Sequence, residues 1–294
     1  MARGKRKSHT FNFNILNIKL NTPEEFANDK EKYKNLIDNV KGRKLITKLR
    51  GDKHCIMRTL FHDPEKPEIM HGEFTAFTMI ETDEYLNIDT MDIEEGLEID
   101  QNAFPNPKGL PFYFFAEFHR MIVPSKGKIS LNSITKHIQE SFSAVIGEDE
   151  EVEVIQQQSH DVFEKILSAP YVRKLEISLT PTNNDPIADE FEDMFDEDVK
   201  ENEIKRMDTI FWARGGKTDS FANSKIIKAQ LGLAAENGQA IANIYDAEGN
   251  KETINTSKHP QEHSLIYNEV DDITWKVAEY LGARYARGTE AGNT

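Results

Sequence analysis

From Thr10 to Leu20 the apolar residues keep a spacing of two but change sides. Phe11, Phe13 and Ile15 share one face of an extended strand, and Leu16, Ile18 and Leu20 share the other. Such a strand bulges near Ile15 or switches its buried face there, and in both cases it is central. The period then changes. Phe26, Tyr33, Leu36, Ile37 and Val40 fall on one helical stripe, opened by the capping pattern of Thr22, Pro23 and Glu25 and stopped at Gly42. Residues 44–90 return to strand-like runs (KLITKLR, CIMRTLF, EFTAFTMI, EYLNID), parted by the turn formers HDPEKP and TD.

The densest apolar signal is PFYFFAEFHRMIVP, where five of the seven residues from Phe112 to Phe118 are aromatic. We read it as one buried strand. Leu131, Ile134, Ile138, Phe142 and Val145 then recur at helical spacing behind a Ser130 cap, with Gly147 as the stop. Val152 and Val154 mark a short strand, Val162, Phe163, Ile166 and Leu167 a helix closed by Pro170, and Leu175, Ile177 and Leu179 a strand wet on one face. Further on come a helix over 224–236, a hairpin about Asp246–Asn250 and a last helix from Asp272 to about Arg287.

This order predicts an α+β fold of mixed or antiparallel sheets, with helices packed mainly on one face, in two lobes. The Asn-, Pro- and Gly-rich stretch ending at Gly109 suggests the division: residues 1–100 as a β-α-β-meander lobe, and 101–294 as a β-α-β-α-β lobe carrying an acidic helix and a terminal hairpin and helix.

Charge sharpens the picture. The net charge is -15, yet Glu81–Asp100 and Asp185–Glu203 together carry -18, which leaves the rest of the chain at +3. The long-range field therefore disfavours nucleic acid, unless a local basic patch such as Arg3, Lys5, Arg6 and Lys7 acts as a phosphate-contacting arm. A short basic tail is also simply solvated. One cysteine, Cys55, excludes an internal disulfide and a multi-thiolate metal site, and suits a reducing compartment. With no apolar run near the roughly 18 residues of a membrane span, we expect a cytoplasmic protein that does not enter the membrane.

Several fragments of chemistry can be weighed. Arg214–Thr218 (RGGKT) ends like a phosphate-binding loop, but Phe211 stands where its first glycine belongs, so it reads as a Gly-Gly loop. His259–His263 (HPQEH) has zinc-site spacing with Pro260 inside it, which points to a loop. Glu203 and Lys205 have the E-x-K form of a divalent-metal nuclease, set against the alternative of a solvated helix face. Glu117 and His119 share a strand face at period two, placing a general acid-base pair against a hydrogen-bonded pair at the strand's wet end. In IADEFEDMFDED, Phe191, Met194 and Phe195 form an apolar stripe among carboxylates; it suits docking on a basic, apolar groove of a partner, or packing on the chain's own domain.

HTFNFNILNIKL after a basic stretch, FYFFAEFHR and VRKLEISLTPTNND together resemble an uncharacterised bacterial domain-of-unknown-function family of about this length. Members are often encoded beside mobile elements and phage-defence genes, so the resemblance implies a defence context and carries over no functional residue. We therefore expect a cytosolic protein of such a module that binds a protein partner as sensor, scaffold or regulator and needs no cofactor; homo-oligomerisation is compatible with this. The alternatives are a metal-dependent nuclease effector holding a divalent metal, and an RNA-binding regulator.

Overall fold

The computed structural model describes residues 8–21, 30–79, 84–95, 103–180, 202, 204–214, 220–269 and 271–285. Its organising strand is β1 (Ser8–Asn21), which makes the predicted change of face without a bulge. Phe13 and Ile15 enter one apolar cluster; Leu16, Ile18 and Leu20 enter another on the opposite side. Both halves are buried because different elements cover them.

β2 (Ile46–Lys48), β3 (Lys53–His62) and β4 (Ile69–Thr78) form the expected meander, and β5 (Glu84–Leu86) with β6 (Ile93–Glu95) forms a separate two-stranded ribbon. The aromatic run becomes two strands, β7 (Lys108–Phe115) and β8 (Arg120–Pro124). With β9 (Glu151–Gln156) and β14 (His263–Asn268), these build an eight-stranded sheet in the order β14-β1-β8-β7-β4-β3-β2, with β9 also paired to β1. β14 takes residues 8–13 of β1 and β9 takes residues 16–21, end to end along the same edge. On one face lie α1 (Lys30–Gly42) and α2 (Leu131–Ser143), whose described apolar stripes are those read from the sequence; Phe26 lies outside the described residues. On the other, α6 (Ile273–Tyr285) covers Phe13, Ile15, Phe115 and Ile122.

The second sheet has four strands in the order β11-β10-β12-β13: β10 (Tyr171–Leu179), β11 (Met207–Trp212), β12 (Gly238–Tyr245) and β13 (Lys251–Asn255). α3 (His160–Ser168) and α5 (Lys225–Asn237), with the single turn α4 (Ser220–Asn223), pack on one of its faces. All strand pairs in both sheets are antiparallel, and the fold is α+β.

The sheets do not part near residue 100. β7 pairs along its full length with β4, and β14, from the far end of the chain, closes on β1. The run from Pro111 to Thr180 crosses between sheets, since β9 belongs to the large one and β10 to the small one. The expected acidic helix, and the capping residues Thr22, Pro23 and Glu25, lie outside the described residues.

Candidate functional site

The β7–β8 hairpin corrects the reading of Glu117 and His119. Residues 116–119 form the turn, closed by Phe118 N–H donating to Phe115 O at 3.2 Å. His119 takes φ +52°, a left-handed conformation that His adopts more readily than most residues. The reversal sends the two side chains apart. Glu117 is exposed at a 220 Å³ pocket beneath α6, between Phe115, Phe118 and Trp275. His119 is 4% exposed and stacks on Tyr33 at 4.2 Å. Period two placed them on one face only while the strand was taken as unbroken.

Lys205 is exposed and donates to Glu151 at 2.7 Å; residues 204–206 are irregular and lead into β11, so they do not continue a helix. Its expected companion Glu203 lies outside the described residues, as do Phe191, Met194 and Phe195, the arm residues Arg3, Lys5, Arg6 and Lys7, and residues 215–218 of the Gly-Gly loop. His259–His263 is a loop entering β14, with Pro260 bridged to Gln158. Among the described residues, no three His, Cys, Asp or Glu side chains converge as metal ligands. Cys55 is buried, which pushes its thiol up to about 12 and leaves it protonated at neutral pH.

What the sequence did not show is a polar seam between the sheets. Past Ile15, the face of β1 that carries Phe13 continues with Asn17 and Lys19, 2% and 1% exposed, and these meet the small sheet and α5. Lys19 Nζ donates to Thr180 Oγ1 at 2.8 Å. Asn17 Nδ2 donates to Asn237 Oδ1 at 3.2 Å, and its Oδ1 accepts from Arg120 Nη1 at 2.6 Å. Arg120, 1% exposed, lies over the Tyr285 ring at 4.7 Å and pairs with Glu236 at 3.6 Å. Glu236 also accepts from Arg284 at 3.3 Å and from Gln157 Nε2 at 2.7 Å. Buried charge is tolerable only when paired and hydrogen-bonded in this manner.

The seam ends at His263. Because Gln157 spends its amide N–H on Glu236, its Oε1 faces His263 Nε2 at 2.7 Å and must accept from it. His263 Nδ1 then accepts from the Tyr280 hydroxyl at 2.8 Å. That is a neutral imidazole, in keeping with a pKa lowered to about 4, first by burial and then by the Arg284 charge. Polar positions on a strand that otherwise alternates were the one available signal, and alone they looked like a solvent face.

Two surfaces flank the seam. Above Lys19 and Thr180 a groove of about 630 Å³ runs between α2 and β9 on one side and the ends of β10 and β12 on the other. Lys136, Arg206 and Lys258 stand on it with one carboxylate, Glu153; its remaining polar residues are amides and hydroxyls. Its floor needs a glycine at Gly238, where any Cβ would collide with Ser178 O. Ser178 and Gln239 in that groove begin the face of the small sheet that no described helix covers, which continues through Glu176, Ile210 and Ile241 to Lys174 and Trp212.

β11 is the edge of this sheet among the described strands. Ala213 N–H bonds Arg173 O at 3.0 Å; by antiparallel alternation, Met207, Thr209 and Phe211 turn their backbone groups to β10, while Asp208, Ile210 and Trp212 turn theirs outward. Ile210 is 53% and Trp212 64% exposed, with Lys174 Nζ 5.1 Å from the Trp212 ring. The strand carries no proline or lysine to blunt this edge.

No helix among the described residues is long and apolar enough to cross a membrane. No curated protein matches the chain. One family does, over residues 9–282, and the match spans both sheets, the two flanking surfaces and the seam except Arg284 and Tyr285. The chain therefore belongs to the domain-of-unknown-function family DUF4747.

Proposed function

We propose that the protein works by binding a protein partner, which adds an extended segment to the β11 edge and lays apolar side chains on the neighbouring open face. The observation that carries this is the outward row of Asp208, Ile210 and Trp212, whose backbone edge pairs with no other described strand and lies beside exposed apolar surface. Strand addition takes affinity from main-chain hydrogen bonds and specificity from alternate side chains, and this row supplies both. Glu176 and Asp208 on the same face favour protein over a phosphate backbone here. The setting we propose is the bacterial cytoplasm, within a phage-defence or mobile-element module, with the protein as sensor, scaffold or regulator.

The test compares the wild type, the double variant Ile210→Lys/Trp212→Ala and the control Ile266→Lys, which alters an exposed residue on β14. A stoichiometric partner from the host should be lost from the double variant, by about thirtyfold or more in affinity if these residues are interface hot spots, and kept by the control. Amide exchange in β11 should slow when the purified partner is added. A partner that binds the double variant as tightly as the wild type, or leaves β11 exchange unchanged, removes the proposal.

A further inference from the structure

We infer that the groove between the sheets is a binding site for a phosphorylated nucleoside, free or as part of a single-stranded nucleic acid. The inference rests on the groove's own chemistry, independently of β11. Gln158, which lines the groove, is 2% exposed; its Nε2 donates to Gly238 O, while its Oε1 is buried and accepts no hydrogen bond. Gln156 repeats the arrangement: Nε2 donates to Asn132 Oδ1 and Thr135 Oγ1, each at 3.0 Å, and Oε1 is buried without a donor. These donations fix both amides, so their oxygens cannot turn away. A buried acceptor left unpaired costs about 1–3 kcal/mol, and two on one wall call for a ligand that brings N–H or O–H groups.

The rim calls for an anion. Among the groove's described lining residues, Lys136, Arg206 and Lys258 stand against Glu153, and Thr180 in that lining accepts from the buried Lys19 ammonium. Lys136 is tied to Glu140 at 3.5 Å and Arg206 to Asp208 at 2.8 Å, but Lys258 is exposed and makes no ion pair among the described residues. Donors inside and negative charge at the rim are what a nucleobase, ribose and phosphate present together. The volume of about 630 Å³ is of the size that holds such a ligand, since small-molecule sites run to about 300–1,000 Å³. The net charge of -15 argues against a long polyanion, and Lys258, which has no ion pair among the described residues, permits a short one.

The experiment titrates the full chain, by calorimetry and thermal shift, with nucleoside mono- and triphosphates, a short single-stranded RNA, ribose 5-phosphate and inorganic phosphate. Saturable binding of a nucleotide or of the RNA, weaker by about tenfold in Lys258→Glu with the melting temperature of the free protein unchanged, is the expected result; whichever of the two binds more tightly identifies the source. Gln158→Glu, which keeps the acceptor oxygens but adds charge, should weaken the same ligand. No binding by any nucleotide or RNA overturns the inference. So does equal binding of ribose 5-phosphate or phosphate, which would reduce the site to a cation patch, and so does a Lys258→Glu protein that binds as the wild type does.

Discussion

The two sheets treat their faces differently. The large sheet is covered on both: α1 and α2 press Leu16, Ile18, Phe112 and Phe114 into one core, while α6 closes Phe13, Ile15 and Phe115 into another. Among the described residues the small sheet has α3 and α5 on one face, and its other face keeps Ile210 and Trp212 in solvent. Where the large sheet is buried on two sides, its side chains serve stability, although its margins keep Phe61 and Ile266 exposed. Burial on one side leaves a row free for recognition, and this is where both the β11 edge and the far wall of the groove are found.

A paired substitution breaks or sharpens that contrast most strongly. Phe112 is 0% exposed and packs on Phe74 at 4.4 Å; Phe112→Ala should cost about 3–5 kcal/mol, read as a lowered midpoint in urea. Trp212→Ala, on the open face, should cost less than about 1 kcal/mol, mostly its contact with Lys174. Equal costs would mean that the open face is part of the core, and would remove the contrast.

Acid should act on the covered regions. His137, buried on α2 beneath the large sheet, and His263, at the end of the seam, both have pKa values lowered to about 4 by burial. An unfolded His titrates near 6.5, so between these values the unfolded chain binds more protons and stability must fall as pH drops. Each His should remove about 2 kcal/mol by pH 5, with no contribution above about pH 7. Melting temperatures recorded from pH 7.5 to 5 should decline through this window, and a flat profile would show that neither imidazole is held neutral. The smallest effect is expected at Gly282 in α6, where an added Cβ meets nothing within 4 Å. Gly282→Ala should stabilise by about 0.5–1 kcal/mol through helix propensity alone, whereas a loss would show that the pocket beneath α6 needs the space.

Element identity was legible wherever one period ran without interruption. The stripes of α1 and α2 needed no tertiary information, nor did the Ser130 cap, which accepts from Ser133 N–H at 3.2 Å, or the hairpin at Gly249, φ +87°. The aromatic run was misread because a hairpin whose turn contains Phe118 looks as apolar as a strand. The division of the chain was not legible either, since β14 reaches β1 across more than 240 residues, His263 pairing with Phe13, and no local pattern encodes such a distance.

The sequence by itself determined the helices and strands whose period runs unbroken, which face of each is apolar, and that β1 must be buried on both sides; it showed neither the hairpin in the aromatic run nor β11. Those properties follow from side-chain period and local sterics, which act over a few residues. Only the tertiary structure decided that Asn17, Lys19 and Arg120 are interior, that Glu117 and His119 part company, and that Gln156 and Gln158 keep unpaired oxygens beside a cationic rim. A polar residue is buried or solvated according to what a distant segment brings to it, and that depends on how the sheets pack.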